Sequence, residues 1–184
     1  MKTRLVSVLA FAVLLCGAAA LRAQSITPAV QARIDAKVKE VVTWAADPAI
    51  VDAVRAHNAP LPADQAALNQ DKWRALSVLD PVVRGFTKNA SGQFLKSKKD
   101  DYVTEAFVSD AAGFKVGFIA KTSNWCHKGK EKHDVPMTGK AWQGPVEVDE
   151  SSGQQQLQVA VPVLDGGKPI GSLVVGLSIT KLSQ

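Results

Sequence analysis

The chain has few of the residues on which covalent or redox chemistry depends. Its 184 residues include two cysteines, Cys16 and Cys126, and three histidines, His57, His127 and His133. No Cys-x-x-Cys-His run occurs, which excludes covalent haem attachment. A glycine-rich phosphate loop, a nucleophile elbow and paired carboxylates in a catalytic context are also missing. Aromatic residues make up 6% of the chain, with a single tyrosine. Beyond residue 24 no apolar run approaches the ~20 residues a membrane helix needs. These absences argue against an enzyme, and no cofactor is expected.

The first residues carry the clearest single signal. Lys2 and Arg4 precede an apolar run over residues 5–15, and Leu21-Arg22-Ala23 presents small residues where a signal peptidase reads. Residues 1–23 read as a cleavable secretory leader, with cleavage between Ala23 and Gln24. Leu15 before Cys16 is too large for lipidation of that cysteine. The expectation is a soluble periplasmic protein with no stable membrane insertion after cleavage. Losing Lys2, Arg4 and Arg22 takes the 22 basic residues to 19 against 17 acidic, a balance of +2. That balance supports no nucleic-acid partner. Cys126 is then the remaining cysteine, no intramolecular disulfide can form, and stability must come from a core of the size that ~150 residues can bury.

Residues 24–184 show no repeat and no low-complexity linker, and read as one domain, mainly helical over 24–90 and sheet over 94–184. Thr27-Pro28 is an N-cap followed by proline in the first turn. Val30, Ile34, Val38, Val41, Val42 and Ala45 then recur at helical spacing up to Asp47-Pro48. A second helix over 49–56 buries Ile50, Val51 and Val54, and a third is predicted over 63–79 with Leu68, Trp73 and Leu76 inward. A short helix from Asp80-Pro81 follows, carrying Val82, Val83 and Phe86. From about Phe94 the period becomes alternating. Strands are predicted over 105–109, 115–120, 141–149, 157–164 and 169–179, with turns at Asp110 to Gly113, Ser151-Ser152-Gly153 and Asp165-Gly166-Gly167. Five antiparallel strands against N-terminal helices make an α+β domain.

Several weak motifs occur in a telling order: Trp73, Asp110 to Gly113, Thr122-Ser123-Asn124-Trp125, Val148-Asp149-Glu150-Ser151, Val161-Pro162-Val163, and Ile170-Gly171 with Val174-Val175-Gly176. In that order the chain resembles the Cache-type (PAS-like, PDC) extracytoplasmic sensor domain, here in a free-standing periplasmic form without an output domain. The resemblance spans nearly all of residues 24–184. It implies a five-stranded antiparallel PAS-like sheet with N-terminal helices, and a small-molecule pocket between that sheet and the loop crossing it. It also implies signal transduction through another protein, such as a membrane receptor or kinase, with the N-terminal helix either meeting that partner or pairing in a homodimer.

The chain departs from the family where specificity resides. Relatives carry a carboxylate-rich loop, whereas Asn124, Trp125, Cys126, His127, Lys128, Gly129 and Lys130 are neutral to basic. Lysine and imidazolium groups favour an anion through charge-assisted hydrogen bonds, so the expected ligand is a small anionic metabolite such as an organic acid. The candidate ligand-binding residues are Lys121, Asn124, Trp125, Cys126, His127, Lys128, Lys130, His133 and Trp142, with Lys115 flanking the second strand. Two readings of Lys128, Lys130 and Lys132 stand side by side, a pocket lining and a solvated loop. Trp125 reads as a pocket wall, Trp142 equally as wall or core, and Trp44 and Trp73 as core.

A second class of function rests on Cys126, His127 and His133, a thiolate and two imidazoles within eight residues that suit zinc or copper in a metal- or redox-responsive protein. Adjacent positions point apart in extended chain, and only His57 is left to complete a tetrahedron. No local motif of a thiol enzyme surrounds Cys126 and His133.

Overall fold

The computed structural model describes residues 26–61, 63–148 and 155–184. The leader and the Ser151-Ser152-Gly153 turn lie outside the described residues. Helix α1 (Pro28–Ala45) starts where expected, with the Thr27 side chain accepting from the Val30 amide. It buries Val30, Ile34, Val41, Trp44 and Ala45, while Val42 stays half exposed at 50%. Asp47 caps α2 (Pro48–His57) through the Ala49 amide.

The helix expected over 63–79 is instead two short pieces, α3 (Ala63–Ala66) and α4 (Gln70–Ala75). The physical reason is Asn69, which is extended and caps a new helix by accepting from the Lys72 amide. Helix α5 (Pro81–Lys88) follows, capped by Asp80. The alternating region begins later than read: α6 (Ala90–Ser97) occupies residues assigned to the start of the sheet, because Asn89 ends α5 and caps α6 through the Gly92 amide.

Strands β1 (Val103–Asp110), β2 (Lys115–Phe118), β5 (Gln155–Asp165) and β6 (Lys168–Ser178) match expectation closely. The strand read over 141–149 is two fragments, β3 (Trp142–Gln143) and β4 (Glu147–Val148). Pro145 has no amide to donate, and the Gly144 amide already goes to the Gln158 carbonyl at 2.8 Å. Both fragments pair with β5. The chain between β2 and β3 holds α7 (Glu131–Asp134) and a 3₁₀ turn, Pro136–Thr138. A last turn, α8 (Ile179–Leu182), closes the domain.

The antiparallel sheet runs β2-β1-β6-β5-β3, with β4 also on β5. One face carries Ala106, Val108, Val159, Val161, Val163, Leu173, Val175 and Leu177, packed on α1, α2 and α6. The opposite face carries Phe107, Phe118, Ala160 and Val174, covered by Trp73 of α4, Val83 and Phe86 of α5, and Trp125. The α+β architecture, with N-terminal helices packed on an antiparallel sheet, is as expected, and the sheet has six strands where five were expected because the strand read over 141–149 is split.

Candidate functional site

Strand pairing lines up the distal face, the one away from α1, in three rungs. Ser109 pairs Lys115 on one side and Ser172 on the other. One step along, Phe118, Phe107, Val174, Ala160 and Trp142 follow one another across all five strands of the path. Beyond that, Glu105 and Gln158 flank Gly176, which has no side chain to separate them, and the Gln158 amide donates to the Glu105 carboxylate over it. The sheet face is thus polar at one end, aromatic in the middle and carboxylate-amide at the other.

Lys115 and Phe118 are an odd number of residues apart and would face opposite sides of a regular strand. A bulge changes this. Ser109 pairs Lys115 and Val108 pairs Gly117, so Val116 is the extra residue and both side chains reach the distal face. The Lys115 side chain is fully buried. Its Nζ lies 3.4 Å from the Phe107 ring centroid and 2.6 Å from His127 Nδ1, and among the described residues it makes no ion pair.

Residues 119–141 lie over these rungs. The Gly113 carbonyl accepts from the His127 amide at 2.8 Å, and Cys126 forms an isolated bridge with Phe114, which seats the segment on the β1–β2 hairpin. The His127 ring then rests on Phe107 at 4.7 Å between centroids. His133, buried on α7, has Nδ1 2.8 Å from Ser172 Oγ. Lys132 Nζ donates to Gln158 Oε1 at 2.6 Å, so the ammonium and the Glu105 carboxylate share one amide as intermediary.

Burial dominates the electrostatics. Loss of solvent holds the Lys115 ammonium well below the ordinary lysine range, opposed by the field of Glu105. Burial first, and the neighbouring cations Lys115 and Lys132 next, push His127 down to about 2. Lys132 and His133 are lowered too, again chiefly by burial. In His133 a backbone hydrogen bond with Ala111 opposes the shift. Ser109 Oγ is buried with no hydrogen-bond partner among the described residues. The cluster therefore holds several nitrogen groups whose charging burial disfavours, together with a free hydroxyl and the Glu105 carboxylate, which is bonded to Gln158.

The structure separates the residues expected from sequence. His127 and His133 enter the cluster. Lys128 and Lys130 are exposed, as the solvated reading had it, whereas Lys132 of the same run is half-buried and engaged. Trp125 is buried in an aromatic core, 5.1 Å from Trp73, 5.5 Å from Phe86 and 5.6 Å from Phe114, where a pocket wall was expected. Lys121 Nζ stands 4.9 Å over the Trp73 ring, and Asn124 is half-buried with its carbonyl accepting from Thr122 Oγ1. Trp142 is half-buried at the end of the aromatic rung, its indole donating to Glu131.

The metal alternative fails on placement. Among the described residues no three or more histidine, cysteine or acidic side chains come together to hold an ion. Nδ1 of His127 faces Lys115, Nδ1 of His133 faces Ser172, and Cys126 Sγ lies 3.5 Å from the Ala112 carbonyl, to which it donates. His57 is committed to Asp110 at 2.8 Å, beside clefts of about 380 and 530 Å³. Glu105, Ser109, Gln158 and Ser172 were not anticipated from sequence. A polar residue at alternating positions of an otherwise apolar strand is the signal that could have found them.

No protein-family model and no curated protein matches the chain. Solved structures similar to it include sensor and ligand-binding domains. The sensor domain of the V. cholerae histidine kinase DctB is 13% identical over 84% of this chain and 54% of its own, with a TM-score of 0.49. The ligand-binding domain of the P. aeruginosa PAO1 amino acid chemoreceptor PctC, in complex with GABA, is 12% identical over 84% and 57%, with a TM-score of 0.48. The E. coli DcuS sensor domain is 15% identical over 84% and 96%, with a TM-score of 0.45. The chain spans little more than half the length of the first two. No described helix is long and apolar enough to cross a membrane.

Proposed function

We propose that this protein is a non-enzymatic periplasmic sensory domain that binds a small carboxylate between the distal sheet face and residues 119–141. The single observation that carries this reading is Lys115, fully buried with no ion pair among the described residues. A fully buried lysine is rare without a partner, and a carboxylate supplies one that would favour its charged form and accept charge-assisted hydrogen bonds. The Ser109 hydroxyl, in the same rung, offers a further donor. Lys132 provides the second cation.

The ligand class follows from what surrounds it. An amino acid would bring an ammonium group that needs an acidic or carbonyl partner. Here Glu105 is bonded to Gln158, and Gln158 to Lys132, so the carboxylate that the described residues place on this face is already engaged. Acids without an amino group fit better. Binding would lift residues 119–141 from the sheet to admit the acid, a change that a membrane receptor or kinase can read. Helix α1, with Val42 half exposed, is the element through which such a partner or a second copy would pair.

Isothermal titration of the purified protein with acetate, lactate and succinate, and with serine and isoleucine, tests the reading. The acids should bind, and Lys132→Gln should weaken them by roughly tenfold, about the free energy of one charge-assisted hydrogen bond. Binding of the amino acids with none of the acids would refute it.

A further inference from the structure

We propose that Lys115 captures 2-oxo acids covalently, forming an imine with the carbonyl beside the carboxylate. The inference rests on the carboxylate reading above and adds to it the identity of the acid. Three geometric facts support it. The Nζ of Lys115 lies against an aromatic ring, 3.4 Å from the Phe107 centroid. Its polar neighbour within hydrogen-bond reach is a ring nitrogen, His127 Nδ1 at 2.6 Å, and it contacts no carboxylate among the described residues. The side chain is fully buried.

A nitrogen in this setting is an amine nucleophile. Desolvation in an apolar wall, with other cations nearby, is the general means by which proteins keep a lysine unprotonated and reactive. The fields of Glu105 and, less strongly, Cys126 favour the ammonium, while Lys132 opposes it, with His127 and His133 as the remaining titratable neighbours. With His127 in the Nε2–H tautomer, one N–H of Lys115 directed at the Nδ1 lone pair fixes the amine and leaves its own lone pair free to turn toward a carbonyl carbon. His127 is a positioning residue in this account.

The chemistry balances without a further reagent. The nitrogen lone pair forms a bond to the carbonyl carbon as the C–O π pair moves onto oxygen. A proton passes from nitrogen to that oxygen, giving a carbinolamine. The hydroxyl then leaves as water, taking up the second N–H proton, and the C=N bond closes. No electrons enter or leave, and hydrolysis reverses the sequence. The acid's carboxylate is left for Lys132 and the unpartnered Ser109 hydroxyl.

The test is reductive trapping on the full protein. Pyruvate with cyanoborohydride should give a single reduced adduct by intact mass, mapped by peptide mass spectrometry to Lys115, while lactate under the same conditions gives none. Lys115→Arg, which retains a cation but not the nucleophile, should lose the adduct. Should that variant fail to fold, the peptide map of the native chain still decides. Labelling spread over surface lysines, or none, would overturn the imine. If pyruvate and lactate then stabilise the fold equally, the carboxylate reading survives alone. If neither acid shifts the melting temperature, both fall.

Discussion

The Nζ of Lys115 lies 2.6 Å from Nδ1 of His127, two basic nitrogens that face each other beneath the β2–β3 segment, with Phe107 under both. Between two such nitrogens one proton suffices for a hydrogen bond, and burial holds both groups below their ordinary ranges. The folded protein therefore keeps a polar interior that solvent would charge and that the fold does not neutralise with an acid.

Replacement of the amine by an isosteric apolar chain should stabilise the fold. The unfolded chain carries Lys115 as an ammonium, and folding must strip its proton or its water. Lys115→Met should thus raise stability by about 1–3 kcal/mol, as when buried charges give way to apolar groups of similar volume. Chemical denaturation of both proteins measures this. A loss of stability would mean that Lys115 is satisfied in the folded state after all.

His127 gives the protein a pH dependence with a definite sign. Its folded-state pKa is down at about 2, and a histidine in the unfolded chain titrates near 6.5. Between those values the unfolded state binds the extra proton, so stability present above pH ~6.5 is lost as pH falls toward 2. His127→Gln should flatten the decline between pH 7 and 5 by up to about 1.4 kcal/mol per pH unit, the value of one proton. Melting curves at these two pH values compare the slopes, and equal slopes would place His127 in contact with solvent.

The distal core depends on aromatic packing. Trp73 sits edge-on to Phe86 and Phe118 at 6.0 and 5.9 Å and is fully buried, with its indole donating to the Thr122 carbonyl at 2.7 Å. Trp73→Ala should cost about 3–5 kcal/mol, since it opens a cavity and leaves the half-buried Thr122 carbonyl without its donor. Denaturant midpoints read this directly. A cost below ~1 kcal/mol would show that α4 does not anchor the segment.

Gly113 couples the hairpin to the site. Its φ is +87°, and an added Cβ would meet the Lys128 amide nitrogen at 2.5 Å. Gly113→Ala should displace the chain around His127, at a clear cost in stability, and weaken carboxylate binding by more than that cost would account for. Binding and melting measured on the same preparation separate the two. Unchanged affinity would show that the segment is seated independently of the turn.

Much of the fold was legible because its signals are local. Thr27-Pro28 and Asp80-Pro81 announce helix starts and Asp47-Pro48 a helix end, and each proves to be a cap followed by proline, Asp47 opening the second helix. Asn69 and Asn89 were not recognised as caps, so a helix read as continuous is broken and α6 was missed. The site was less legible. Parity along β2 cannot place Lys115 when Val116 bulges, and nothing in the order of residues says that Ser109 and Ser172 will be neighbours. The loop lysines show the same limit: Lys128 and Lys130 remain in solvent while Lys132, on the first turn of α7, is drawn to Gln158.

The carboxylate site itself is tested most directly by melting curves of the native protein and Lys115→Met across a panel of small acids. Ligand at ~100 times its dissociation constant stabilises by about 2.7 kcal/mol, which for a chain of this size is a rise of roughly 5–11 °C. The account predicts that rise with at least one acid for the native protein and none for the variant. A flat panel for the native protein, or the same rise in both, would contradict it.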